Sequence, residues 1–135
     1  MSEATGRRAD VELRVPADSA YVSVLRTTAA GLAARLDFTL DDVEDLRMAV
    51  SEAAAIVLET ARPGTDLTMR LWVDPGAVVA AVAVAEADGD GVDEDGFAWQ
   101  VLTTLASDAA VLSAEGGLEL ELTVRATPLE AGERH

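Results

Sequence analysis

Cysteine, lysine and asparagine are missing from all 135 residues. Without cysteine there is no disulfide framework, no thiol nucleophile and no thiolate metal site. Without lysine there is no phosphate-binding Walker lysine, no Schiff base and no lysine general base. All ten cations are arginine. A GC-rich coding bias would also produce this pattern, and the chemical exclusions hold either way. Histidine occurs once, as His135, the last residue. Chain ends fray, so a histidine-based triad or metal centre has no foundation. No apolar run reaches membrane-spanning length without charged or polar breaks. Met1 to Asp10 is polar and holds no apolar signal-peptide core. The expectation is a cytoplasmic protein with no membrane association.

Against the ten arginines stand 25 carboxylates, giving a net charge of −15. Such a field repels phosphate backbones, which argues against direct nucleic-acid binding, and it steers basic partners toward the surface. Half the residues are hydrophobic. That composition suits one globular domain with a substantial core, expected over residues 9–126 between loose tails at 1–8 and 127–135.

Val11 to Val15 alternates strictly and reads as a strand that Pro16 ends. Asp18 or Ser19 can cap a helix reaching Leu36, with Tyr21, Leu25, Ala29, Leu32 and Leu36 on its apolar stripe. A second helix follows from Asp41 to about Ala61, capped by Asp41 or Asp42, with Val43, Leu46, Val50, Ala53 and Val57 inward. Arg62-Pro63-Gly64 terminates it. Leu67 to Val73 alternates, Asp74-Pro75-Gly76 turns, and the valine–alanine run Ala77 to Ala85 reads as a buried central strand. An acidic, glycine-rich loop spans Glu86 to Gly96. Phe97 to about Ala106 looks helical. Ala109 to Ser113 and Leu118 to Arg125 form a hairpin about Glu115-Gly116-Gly117. Strands joined by hairpins with helices on one face imply an α+β two-layer sandwich with a mostly antiparallel sheet.

The second helix carries the most chemistry. Glu52 sits at the centre of one face, and Ile56 stands one turn on, where i and i+4 side chains project side by side. A carboxylate beside an amide could hold a metal and a phosphate; beside an isoleucine it cannot. The element order, with A-V-S-E in the second helix and F-A-W-Q-V-L-T-T-L-A-S-D from Phe97 to Asp108, resembles the RsbW-type anti-sigma factor and serine-protein kinase family. That family belongs to the histidine-kinase-like ATPases of the Bergerat fold. The resemblance covers roughly residues 10–126 and is closest in style to divergent actinobacterial members.

The resemblance implies a site. In the family a glutamate acts as general base, and an asparagine four residues on completes a magnesium shell. Magnesium takes oxygen ligands in near-octahedral geometry. Glu52 matches the glutamate, and Ile56 occupies the asparagine place. Glu52 is either an inherited relic of a base or an ordinary half-exposed helix acid. The family's D-x-G-x-G should follow the central strand. Asp88-Gly89-Asp90-Gly91 is near it with its glycines out of phase. Of the lid's glycine turn, Gly96 remains, before Phe97-Ala98-Trp99. Asp88, Gly89, Gly91 and Gly96 are therefore the candidate residues of a degenerate nucleotide site, with a lid shortened to Asp93, Glu94 and Asp95, whose charges would repel a triphosphate. No cofactor is expected, and ATP with magnesium enters only if the site still works.

Six acids between Glu86 and Asp95 raise calcium, but an EF-hand frame begun at Asp88 puts Val92 and Asp93 where ligand and glycine belong. A solvated loop is the plainer reading. Arg26 falls where family members carry a partner-contacting arginine; it is either that guanidinium or a solvated one. Tyr21 is expected in the core. Trp72 and Trp99 either pack or anchor an interface. The resemblance implies an anti-sigma factor that sequesters a sigma factor and is released by a STAS-domain antagonist. It also implies a homodimer using the first strand as an edge. The alternative is an active serine kinase of that antagonist, with Glu52 as base.

Overall fold

Eight consecutive alanines and valines, Ala77–Val84, make the middle strand of a five-stranded sheet, β3. The computed structural model describes residues 6–89, 91–112 and 116–128. Around β3 lie β1 (Val11–Pro16), β2 (Asp66–Asp74), β4 (Asp108–Leu112) and β5 (Leu118–Arg125). Their order is β1-β2-β3-β5-β4, antiparallel throughout. β2 and β3 join through the Asp74-Pro75-Gly76 turn, with Gly76 at φ 71°. Positive φ is inexpensive only for glycine, so the turn falls where the sequence placed it. Ser113, Glu115 and both outer tails lie outside the described residues.

Three helices cover one face: α1 (Val22–Ala33), α2 (Leu40–Thr60) and α3 (Phe97–Leu105). Leu25, Leu46, Val50, Val57 and Leu102 are fully buried in one cluster with Leu67, Met69, Val82 and Leu120 of the sheet. Strict alternation in β2 and β5 splits the sheet into this helix-covered inner face and an outer face. The outer face carries its own small cluster of Trp72, Val79 and Ala81.

Several boundaries depart from the sequence reading. Asp18 does cap, but its carboxylate accepts from the Ala20 N–H of a single 3-10 turn, Ser19–Tyr21. That tighter turn rotates Tyr21 off the apolar stripe, and it is 39% exposed rather than core. α1 stops at Ala33. The Arg35 and Leu36 N–H groups donate to Leu32 and Ala33 carbonyls, a tightened ending that still tucks Leu36 against the core. The cap of α2 is Thr39 rather than Asp41 or Asp42. Its hydroxyl accepts from the Asp42 N–H at 3.0 Å, and Asp42 Oδ2 accepts from the Thr39 N–H at 3.2 Å, a reciprocal capping box. Val43 is only half-buried.

Both expected tails are tied at their inner ends. Arg7 bonds the Val73 carbonyl and Asp74 at 2.8 Å each, and its own carbonyl accepts from Trp72 Nε1. Thr127 donates its N–H and hydroxyl to Asp42 at 2.8 and 2.7 Å.

Candidate functional site

α2 is long because nothing in it breaks a helix: 21 residues with neither glycine nor proline. Its inner stripe fixes its rotation, and that rotation decides where Glu52 and Ile56 point. The two were expected on a common face. Four residues advance a helix by about 40° beyond a full turn, and here that suffices to part them. Glu52 is half-buried on the outer side of α2, while Ile56 is 6% exposed and packs in the core cluster that includes Trp99 and Leu102. The position one turn beyond the carboxylate is thus turned into the core and filled with hydrocarbon. The two tryptophans are both packed, Trp72 completely and Trp99 to 8% exposure.

Glu52 lines a shallow groove of about 220 Å³ that crosses all three helices. α1 contributes Arg26, α3 contributes Val101 and Leu105, and the floor is Arg47, Met48 and Ser51 of α2. Nothing local in the sequence links Arg26 to Glu52; the packing of α1 on α2 brings both to one depression. Arg47 is engaged by Glu44 through two bonds of 2.9 and 3.1 Å. That bonding, with the charges of Arg47 and Arg26 behind it, holds the Glu44 carboxyl below its ordinary range. Ser51 donates its hydroxyl to the Arg47 carbonyl. Arg26 makes no ion pair among the described residues. Met48 (45% exposed) and Val24 (42%) leave apolar surface on the same helices.

The glycine-rich segment builds a different depression. Asp88, Gly89 and Gly91 line a cavity of about 350 Å³ at the C-terminal end of α2, closed by Thr60 and the Gly116–Leu118 segment. The Asp88 carboxylate lies 3.4 Å from the Arg62 guanidinium in the solvent, and its N–H donates to the Thr60 carbonyl. Ala87, immediately before it, pairs with Ala61 in an isolated bridge and donates its N–H to the Gly116 carbonyl. Asp90 is outside the described residues. Gly96 lines neither depression. It caps α3 at the end of a tight turn in which its N–H donates to the Asp93 carbonyl. A side chain at Gly96 would meet the Asp93 carboxylate at 3.0 Å. The candidate residues therefore fall in three places. Among the described residues lining the Glu52 groove, side-chain oxygen comes from Ser51 and Glu52 alone, a poor shell for a hard dication. No helix among the described residues is long and apolar enough to cross a membrane.

Residues 15–124 match the model of the histidine kinase-like ATPase domain. The anti-sigma-F factor RsbW of Mycobacterium tuberculosis is 39% identical over 100 residues, covering 73% of this chain and 58% of that protein. The serine-protein kinase RsbW of Bacillus velezensis is 43% identical over 51 residues, covering 38% of this chain and 32% of that protein. The chain thus spans a little over half the length of one relative and about a third of the other. Among solved structures, the RsbU and RsbW domains of Rv1364c from M. tuberculosis align with a TM-score of 0.63 at 20% identity, over 86% of this chain and 32% of that one. The histidine kinase domain of a blue-light activated kinase from Erythrobacter litoralis aligns at 0.53 and 15% identity, over 83% and 62%. The five-stranded antiparallel sheet under three helices, and a domain match over most of its length, place this chain in the histidine kinase-like ATPase domain family.

Proposed function

We propose that this chain is an anti-sigma factor. It holds a sigma factor away from RNA polymerase, gives it up to a STAS-domain antagonist, and does so with a nucleotide site that no longer works. The observation that carries the reading is Ile56: where the RsbW-type site calls for an amide oxygen beside magnesium, a buried hydrocarbon packs in the core with Trp99. The glycine segment supports it. Read in the frame of residues 87–91, A-D-G-D-G keeps the family's G-x-G spacing, with Gly89 and Gly91 at φ 95° and 90°. Alanine then stands where the adenine-reading aspartate belongs. The frame begun at Asp88 in the sequence reading is one residue late. In the same reading, the groove over α2 serves as protein-contact surface, with Arg26 offering its guanidinium to a partner carboxylate. The M. tuberculosis relative, 39% identical over 100 residues and named an anti-sigma-F factor, points the same way. A homodimer fits β1, which is an edge strand.

A pull-down from the native cytoplasm tests the proposal. Recovery of a sigma factor and a STAS protein is the expected result, and Arg26→Glu should weaken capture while leaving the melting temperature unchanged. Recovery of neither would count against the assignment.

The second reading, an active serine kinase with Glu52 as base, draws on the open position of that carboxylate on the groove and on the kinase names of the Bacillus relatives. A fluorescent ADP analogue separates the two. Magnesium-dependent binding in the micromolar range would restore the kinase reading; no saturable binding supports the degenerate site.

A further inference from the structure

On α3, Phe97, Val101 and Leu105 recur at every fourth position and share one stripe. Val101 and Leu105 line the groove over α2 together with Met48. Phe97 carries the stripe one turn further, about 6 Å along the axis, and is 84% exposed. The opposite stripe, Trp99 and Leu102, is spent on the core. The outcome is an apolar track that starts in the groove and ends at an aromatic ring open to solvent.

Charge along the track is uneven. At the groove end Arg47 and Glu44 satisfy each other, and Arg26 and Glu52 contribute one charge of each sign. At the other end the residues before Gly96 are Asp93-Glu94-Asp95, all exposed and none in an ion pair among the described residues. The Asp93 carboxylate and carbonyl accept from the Asp95 and Gly96 N–H groups, which fixes this acidic turn against the start of α3. An apolar stripe between two packed helices is complementary to the apolar face of a third. The acids set the direction of that third helix. Basic side chains are favoured in a helix's last turn, at the negative end of its dipole. With that turn over residues 93–95, the docked helix runs antiparallel to α3. We infer that the track docks an amphipathic helix of the captured partner, its apolar face along Met48, Leu105, Val101 and Phe97 and its basic C-terminal turn over Glu94 and Asp95. The identity of that partner rests on the anti-sigma reading; the track and its polarity do not. A second copy is a poor occupant, because none of this chain's three helices has a basic residue in its last turn.

The test uses the full chain, labelled with nitrogen-15, titrated with a designed amphipathic peptide of about five helical turns, leucines along one face and arginines in its last turn. Amide shifts are expected at Met48, Val101, Leu105 and Phe97. Phe97→Ser should weaken the peptide at least about tenfold, the scale of an aromatic anchor. Its melting temperature should stay nearly unchanged, since the ring packs on little. Glu94→Gln with Asp95→Asn should weaken it about threefold and flatten the salt dependence. A peptide with glutamine in place of the arginines should not distinguish that double variant from the wild type. Unchanged affinity in Phe97→Ser overturns the inference, as do shifts confined to the sheet. So does a dimer in sedimentation that Phe97→Ser dissolves, which would give the track to a second copy. The native pull-down keeps the two readings apart. Peptide binding as expected with no sigma factor recovered leaves the track standing and removes the anti-sigma reading. A sigma factor captured equally by wild type and Phe97→Ser keeps that reading and removes the track.

Discussion

Two residues show how far single side chains decide this molecule. Asp42 accepts from the Thr39 N–H, the Thr127 N–H and the Thr127 hydroxyl, so one carboxylate starts α2 and fastens the segment beyond β5. Burial alone would raise its pKa, but the bonds from Thr127 and Thr39 outweigh burial and hold it below the ordinary 3.8. A carboxyl depressed in the folded state contributes stability that is fully present above the unfolded value, near pH 4, and is lost as pH falls through the folded value. Asp42→Ala should therefore cost on the order of 2–3 kcal/mol in urea unfolding at neutral pH, and should flatten the acid limb of the stability curve. An unchanged acid limb would remove Asp42 from that role. Ile56 gives the second case. Ile56→Asn restores the amide of an RsbW-type site but sets it among buried hydrocarbon. It should destabilise by roughly 2–4 kcal/mol without conferring nucleotide binding on its own. Urea unfolding beside the ADP-analogue titration reads both effects.

At the scale of elements, period and punctuation made most of the fold legible. The alternation of Leu67 to Val73, the unbroken Ala77–Val84 run and the helical stripe through Leu46, Val50 and Val57 each named the right element with nearly the right ends. What stayed hidden was set mostly by contacts distant in sequence: the Thr39–Asp42 box is local, three residues apart, but Thr127 holds Asp42 from 85 positions away. The insertion of β5 between β3 and β4 leaves no local trace. The candidate site suffered most, because the separation of Gly96 from Gly89 and Gly91 depends on the loop's path. Two glycines test the element scale. A Cβ at Gly117 would lie 2.6 Å from the Val84 carbonyl oxygen, where β5 enters beside the end of β3. Gly117→Ala should cost about 1–3 kcal/mol by forcing those backbones apart. Gly31, exposed in α1 with nothing within 4 Å of its virtual Cβ, should do the opposite. Gly31→Ala should stabilise by roughly 0.5–1 kcal/mol through helix propensity alone.

For the whole molecule the governing quantity is charge. With −15 on 135 residues, encounter with a basic protein is accelerated at long range, and that acceleration is screened as salt rises. Under the proposed function, stopped-flow association with the sigma factor should slow by at least about tenfold between low and high ionic strength, with dissociation much less affected. A flat salt dependence would mean that contact chemistry rather than the field sets the rate. The two layers also differ in what they hold. Trp72 belongs to the outer cluster, its indole hydrogen held by the Arg7 carbonyl, and Trp99 packs from α3 into the inner core on the other side. The chain's two tryptophans thus belong to separate clusters, one on each side of the sheet. Replacing either with phenylalanine leaves a single emitter that reports on one layer, so quenching by a bound protein would identify the side it approached without any added dye.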